Sequence, residues 1–343
     1  MYEDTTNLPY SLATQRNQLR ERIFLPHTQE EFINLSLEMF RFQSEANKVY
    51  ASWLKALGCD PKQVKHLAEI PFLPIEFFKT HKVRSGILSC DNAFNSSGTT
   101  GLTTSTHYVL DISVYIESLL EGFRRVYGAP SDYIIIGLLP SYLERNDSSL
   151  VYMVNELMKC SGQVEKHFYL NDYVSLKKKL DQFSLEKKKV WLIGVSFALL
   201  EFAELKPATW EELIVIETGG MKGRRKEIIR EELHSLIRES WQVNNIHSEY
   251  GMTELLSQAW LNKESRFNPP PWMQIRIRDA NDPFHELEFG KAGGINIIDL
   301  ANIDSCSFIS TSDLGKKYED GSFEVLGRFD NSDLRGCNLL AEI

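Results

Sequence analysis

The sequence predicts an α/β protein: layered β-sheets flanked by helices, with a helical start and a small antiparallel β subdomain near the end. Three observations carry that reading. Apolar residues recur at helical spacing from about residue 30 to 57. From about Asp91, short apolar runs alternate with amphipathic stretches. After about residue 270, short strand-like segments follow one another without helical patterns between them.

In EEFINLSLEMFRFQSEANKVYASWLKAL, the residues Phe32, Leu35, Met39, Phe42, Ala46, Val49, Trp53 and Leu57 fall at one helical period, and the helix is expected to end at Gly58. The prolines and aromatics of IPFLPIEFFKTHKV then read as an extended connector. YIIIGLL (133–139), VEKHFYL (164–170), VWLIGV (190–195) and LIVIET (213–218) read as buried strands, with helices over 111–126, 148–160, 172–184, 196–204 and 224–240. That alternation predicts a mainly parallel sheet, and ligands of such sheets sit at the carboxyl ends of the strands. MQIRIRD, GGINIIDL, SFISTSDLG and SFEVLGR read as the terminal antiparallel strands.

Composition narrows the function classes. With 38 Lys plus Arg against 47 Asp plus Glu, the net charge of −9 disfavours nucleic acid and anionic membranes as partners. Five cysteines without a C-x-x-C pair argue against a disulfide scaffold and a structural zinc site. The opening MYEDTTNLPY does not read as a secretory signal, and no apolar run reaches the roughly 18 residues of a membrane helix. The expected location is cytoplasmic.

The most informative segment is the loop after Phe94, SSGTTG (96–101), where two glycines and the hydroxyls of Ser96, Ser97, Thr99 and Thr100 can surround phosphate oxygens. It is not a Walker loop, since no Gly-Lys-Ser/Thr follows. Further along come Glu217-Thr-Gly-Gly, His247-Ser-Glu-Tyr-Gly-Met-Thr-Glu, Thr311-Ser-Asp-Leu-Gly with the carboxylate Asp313, and Gly327-Arg-Phe-Asp. Singly, each has a plain structural reading. Thr253-Glu254 would open a helix, Gly219-Gly220 would make a turn, Asp313 would start a turn, and Arg328 with Asp330 would be a surface pair. His107 and His247 lack metal-ligand spacing and read as structural or exposed, and Trp260 and Trp272 as core.

In this order, the segments resemble the adenylate-forming superfamily of acyl and aryl ligases. SSGTTG matches its phosphate loop, TGG (218–220) its adenine-side strand end, YGMTE (250–254) its most diagnostic motif, TSDLG (311–315) its ribose motif and GRFD (327–330) its hinge. IPFLPIEFFK (70–79), LLPSYLER (138–145), GGMKGR (219–224) and DNSDLRGCNLL (330–340) look most like fatty acyl-protein synthetases of the bioluminescence type. Phenylacetate–CoA ligases are more distant relatives.

The resemblance implies the fold of that superfamily's N-terminal part without the mobile C-terminal lobe. Its regions would be 1–90, helical and packed on the main domain; 91–325, the α/β domain with its β subdomain; and 326–343, a hinge-like tail. It implies ATP and Mg²⁺ as cofactors, with coenzyme A as an alternative acyl acceptor. Ser96, Ser97, Gly98, Thr99, Thr100 and Gly101 would hold phosphates. Gly219 and Gly220 would line the adenine and acyl side, with Tyr250, Gly251 and Met252 beside them. Thr253 would bond the α-phosphate, Glu254 would bind Mg²⁺, and Asp313 with Arg328 would hold the ribose. Tyr142 would line the acyl pocket. Cys337, beside Arg335, would carry the acyl group towards an acyl-accepting protein or reductase subunit.

Two departures accompany the match. Thr103 and Thr104 replace the usual Pro-Lys, and the chain stops about a dozen residues past the hinge motif, before any lobe carrying a catalytic lysine. Lys222, Arg224, Arg225 or a partner subunit would then supply that charge. The competing readings are an acyl- or aryl-CoA ligase and a nucleotide-binding protein that has lost catalysis.

Overall fold

The computed structural model describes residues 8–86, 92–96, 104–140, 147–219, 229–261 and 266–329. The chain divides into two compact units, Met1–Ser89 with Asn268–Ile343, and Cys90–Phe267.

The first unit begins with α1 (Tyr10–Arg20), α2 (Gln29–Ala46) and α3 (Lys48–Ala56), then β1 (Leu73–Pro74) and the short α4 (Phe77–Thr80). Thr28 and Glu31 form a capping box that starts α2 by satisfying its free N–H groups. The single helix expected to reach Leu57 is broken at Asn47, whose backbone is extended and whose side chain accepts from the N–H groups of Val49 and Tyr50. The break rotates the apolar stripe. Phe32, Leu35, Met39, Phe42 and Ala46 are buried as the period predicts, but beyond it Tyr50 and Leu54 face the core while Val49, Trp53 and Leu57 are only partly covered. An asparagine offers the backbone a competing bond, which periodicity alone does not register.

The second unit opens with the antiparallel pair β2 (Asn92–Asn95) and β3 (Thr106–Val109), followed by α5 (Ile112–Tyr127). Then β4 (Ile134–Leu138), α6 (Ser149–Cys160), β5 (His167–Tyr169), α7 (Tyr173–Leu185), β6 (Val190–Val195), α8 (Ser196–Ala203), β7 (Leu213–Thr218), α9 (Arg230–Trp241), β8 (Ile246–Tyr250) and β9 (Ala259–Leu261) complete it. The sheet runs β5-β4-β6-β7-β8-β9, parallel except for the last pair. Asp111, Ser148 and Asp172 cap the helices α5, α6 and α7. Every residue of β6 is buried, as expected for a parallel strand covered on both faces. The expected strand over 164–170 is shorter than its apolar pattern. Ahead of β5, the Gln163 amide accepts from Ile135 N–H (2.8 Å) and donates to Ile135 C=O (3.1 Å), standing in for a strand residue beside β4.

The chain then returns to the first unit with β10 (Met273–Arg278), β11 (Ala292–Asp299), β12 (Phe308–Lys317) and β13 (Phe323–Arg328). These strands are antiparallel to one another, and β12 also pairs in parallel with β1, Leu73 opposite Ile309. The terminal strands therefore group with the N-terminal helices, where the sequence reading joined them to the α/β domain. The reason is a set of long-range polar bonds to the turn at 299–307. Gln43 donates to the carbonyls of Asn302 and Ile303, Asn47 donates to Ser305 C=O, and Arg16 makes a two-pronged buried ion pair with Asp304. Trp272 and, in the second unit, Trp260 fill core, as expected. Among the described residues, no helix is long and apolar enough to cross a membrane.

The two ion pairs of the N-terminal helices should differ sharply in worth. Asp304→Ala strands a buried guanidinium and is expected to cost about 3–5 kcal/mol. Glu38→Ala breaks the half-exposed Arg22–Glu38 pair and should cost roughly 0.2–1 kcal/mol. Urea denaturation midpoints of the two variants would separate them; equal losses would contradict the burial argument.

Candidate active site

In the second unit, the glycine–threonine loop is held at its base. Ser96 N–H donates to Ser105 C=O and Ser105 N–H donates back to the Ser96 hydroxyl, both at 2.9 Å. Asn95 is anchored to Asp147 through backbone and side chain, and Thr106 donates to the Asn95 side chain. Ser96 thus helps close the loop as well as facing its expected role. The expected phosphate ligands Ser97, Gly98, Thr99, Thr100 and Gly101 lie outside the described residues, as do Thr103, Tyr142, Gly220, Lys222, Arg224, Arg225, Asp330, Arg335 and Cys337.

Thr253 and Glu254 follow β8 in a turn closed by Leu255 N–H donating to Met252 C=O (3.1 Å). They do not open a helix, which removes the structural alternative for this motif. Glu254 is buried at 6% exposure. His107, on β3, holds the turn: its Nδ1 lies 2.9 Å from Thr253 C=O, and since the carbonyl accepts, Nδ1 carries the proton. Burial pushes His107 down to about 4, so the ring is neutral. Sequence reasoning treated His107 as structural or exposed; it is structural, and it joins the strand after the glycine–threonine segment to the turn at Thr253.

Gly219, in the left-handed region at φ 70°, turns the chain after β7. The Ser196 hydroxyl sits 3.1 Å from Gly219 C=O and 3.2 Å from the Glu217 carboxylate. The strand ends of β7 and β8 hold two carboxyls on opposite faces of the sheet. Glu217 faces α9. Burial pushes its carboxyl up, but bonds from His234 and Ser248 and the Arg230 guanidinium outweigh that and hold it below the usual range. Glu249 faces α5. Burial pushes it up to about 7 against the Thr218 hydroxyl bond at 2.5 Å, and the Glu217 charge adds to the rise.

Tyr250 is buried with its ring 5.7 Å from that of Phe267, over which the Arg230 guanidinium lies at 4.4 Å. Met252 and Thr253 are partly exposed. Gly251 cannot carry a side chain as packed, since a Cβ there would land on Glu249 Oε1.

In the first unit, Asp313 lies inside β12 rather than at a strand end, buried at 6% exposure. Its cross-strand neighbour is Arg328, whose Nε lies 3.2 Å from Asp313 Oδ1 while most of the guanidinium stays exposed. Among the described residues Arg328 pairs with Asp313, while Asp330, its partner in the plain structural reading, lies outside them. Among the described cysteines, Cys306 is buried and pushed up to about 12, Cys59 is raised by partial burial, and Cys160 is exposed. Among the described residues, no cluster of three or more His, Cys, Asp or Glu is arranged for a metal ion.

Solved structures place this architecture. A 2-hydroxyisobutyryl-CoA ligase in its postadenylation state, in complex with R3-HIB-AMP, superposes with TM-score 0.64 at 11% identity, over 95% of this chain and 70% of that one. ATP-bound MatB from Rhodopseudomonas palustris gives 0.50 at 16% identity, over 69% of this chain and 47% of that one. The MenE O-succinylbenzoate coenzyme A synthetase of Bacillus subtilis, bound to AMP, gives 0.50 at 17%, over 71% and 50%. The chain spans about half the length of the latter two. At these identities the likeness establishes the fold, that of the adenylate-forming enzymes. No curated protein matches the chain. The family model described as acyl-protein synthetase, LuxE, matches residues 26–342, nearly the whole sequence. The chain belongs to the LuxE acyl-protein synthetase family.

Proposed function

We propose that the chain uses ATP to convert a fatty acid into its acyl-AMP and then passes the acyl group to a thiol, on Cys337 or on a partner protein. The observation that supports this best is the buried, non-helical Thr253-Glu254 turn, tied by His107 to the strand that leaves the glycine–threonine loop. In the first step, a carboxylate oxygen of the acid attacks the α-phosphorus of ATP and pyrophosphate leaves. In the second, a thiolate attacks the acyl carbonyl and AMP leaves; the thiol proton goes to solvent. The first step brings an anion to a polyanion, so donors fixed in advance and a cation are needed to lower its barrier.

In this reading Ser96 to Gly101 and Thr253 hold phosphates, Gly219, Gly220, Tyr250, Gly251 and Met252 line the adenine and acyl side, and Asp313 with Arg328 takes the ribose. Glu254 suits Mg²⁺, a hard cation that binds through one or two carboxylates plus substrate phosphates and water. The single buried carboxylate, without a metal cluster among the described residues, fits that donor set. Bound there, Mg²⁺ would neutralise phosphate charge.

Glu254→Gln is expected to lower carboxylate-dependent pyrophosphate release by about 10²–10³-fold, the size of losing one electrostatic contact to the transition state. A loss under fivefold across a panel of aliphatic and aromatic acids would remove Glu254 from the site. Cys337→Ser should keep single-turnover pyrophosphate release but abolish a hydroxylamine-sensitive acyl label on the protein. A retained label would exclude Cys337, and turnover restored by coenzyme A in that variant would make coenzyme A the acceptor.

A further inference from the structure

Outside the roles assigned above, Glu249 is an ionisable side chain at the strand ends whose carboxyl meets two separate segments. Its position follows from alternation along β8. Ser248 faces α9, where its hydroxyl lies 3.1 Å from His234 Nε2, and His247 faces α5, with Nδ1 3.2 Å from the Tyr127 hydroxyl. Glu249 shares the α5 face with His247. Its two oxygens meet two different segments: Oε2 bonds the Thr218 hydroxyl at the end of β7, immediately before Gly219, and Oε1 lies against Gly251 in the Tyr-Gly-Met-Thr-Glu turn. Oε1 takes no hydrogen bond from a described residue. The absence of a side chain at Gly251 is what leaves room for it.

We propose that Glu249 is a positioning residue of the adenylation site, a carboxyl latch that fixes the Thr218-Gly219 strand end against the Tyr250-Gly251 turn. The proposal rests on the reading of those segments as the nucleotide site.

The latch works in its protonated form. From α5 it is faced by Tyr115 and Tyr127, both raised by burial and therefore neutral; from β7 by Thr218 and by the carboxylate of Glu217; on its own strand by His247, pushed down to about 4 and also neutral. Its cross-strand neighbour on β9 is Trp260, which does not ionise. No cation among the described residues pairs with it. An ionised Glu249 would keep the Thr218 bond but lie half-buried beside a second negative charge. Burial and that repulsion together exceed the bond, since the group sits at about 7 instead of 4.5. The sign follows. Below about pH 4.5 the native contacts carry no penalty; the penalty grows between about pH 4.5 and 7, is constant above that, and is relieved by swinging the carboxylate out to water, which opens the latch.

The test is a pH series, 5.5 to 8.5, on the full chain and on the variants Glu249→Gln and Glu249→Ala, reading KM for ATP and kcat of pyrophosphate release. In the native protein KM should rise roughly tenfold between pH 5.5 and 7 and level off above that, as the competent fraction falls, with kcat changing far less. Glutamine, which keeps both contacts and cannot ionise, should flatten the profile and restore what alanine loses. Alanine should give a raised KM at every pH. A glutamine variant with the native pH profile would overturn the proposal. Melting midpoints keep the two readings separable: if the native protein releases no pyrophosphate with any acid, the adenylation reading falls, and the latch is judged by thermal unfolding. A glutamine variant more stable than native at pH 8 and equal at pH 5 then sustains it, while equality at both overturns it.

Discussion

Every backbone group inside a covered parallel sheet must be satisfied by a neighbouring strand, so freedom to bind anything is confined to the strand ends. β6, buried along its whole length, shows the constraint at its strictest. β7 beside it and β8 beyond obey it until they stop, and at their ends the chemistry-bearing residues accumulate: Glu217, Thr218 and Gly219 at one, Glu249 to Glu254 at the other. The polar groups at these ends are held by specific bonds because water cannot satisfy them. Ser196 reaches both the Glu217 carboxylate and the Gly219 carbonyl, and His107 reaches Thr253.

Two carboxyls one strand apart illustrate how environment, not residue type, sets charge. Glu217 and Glu249 both lose water on folding. Glu217 meets His234, Ser248 and Arg230 and stays ionised; Glu249 meets a hydroxyl, two neutral phenols and its own neighbour's negative charge. The sheet separates them, so one pair of adjacent strands supports opposite protonation states on its two faces.

The sheet was legible because its signals are local. Apolar runs of six or seven residues marked β4, β6 and β7, and the helices expected from 111, 148 and 172 start where Asp111, Ser148 and Asp172 cap them. What stayed hidden depends on partners far away in sequence. The break at Asn47 passes unseen through a correct helical period, because it is fixed partly by Ser305, and the grouping of the terminal strands follows from Gln43 and Arg16 reaching the same distant turn. At the site, the order of the motifs was readable, and Gly219 makes the turn that its plain reading expects. The roles of His107 and Glu249 were not, since each acquires meaning only from Thr253 or Thr218 on another strand. The plain reading has Asp313 starting a turn, whereas pairing with β11 and β13 keeps that stretch extended.

The Gln163 amide has a consequence for the chain's behaviour in a crowded solution. A sheet whose outermost strand is only three residues long leaves part of the next strand open to any extended peptide that drifts past, which is how misdirected pairing begins. By satisfying both polar groups of Ile135 with a side chain, Gln163 shuts that stretch to intruders. A single amide thereby acts as an end-stop against self-association, at a spot where lengthening the strand itself would only move the exposed edge outward.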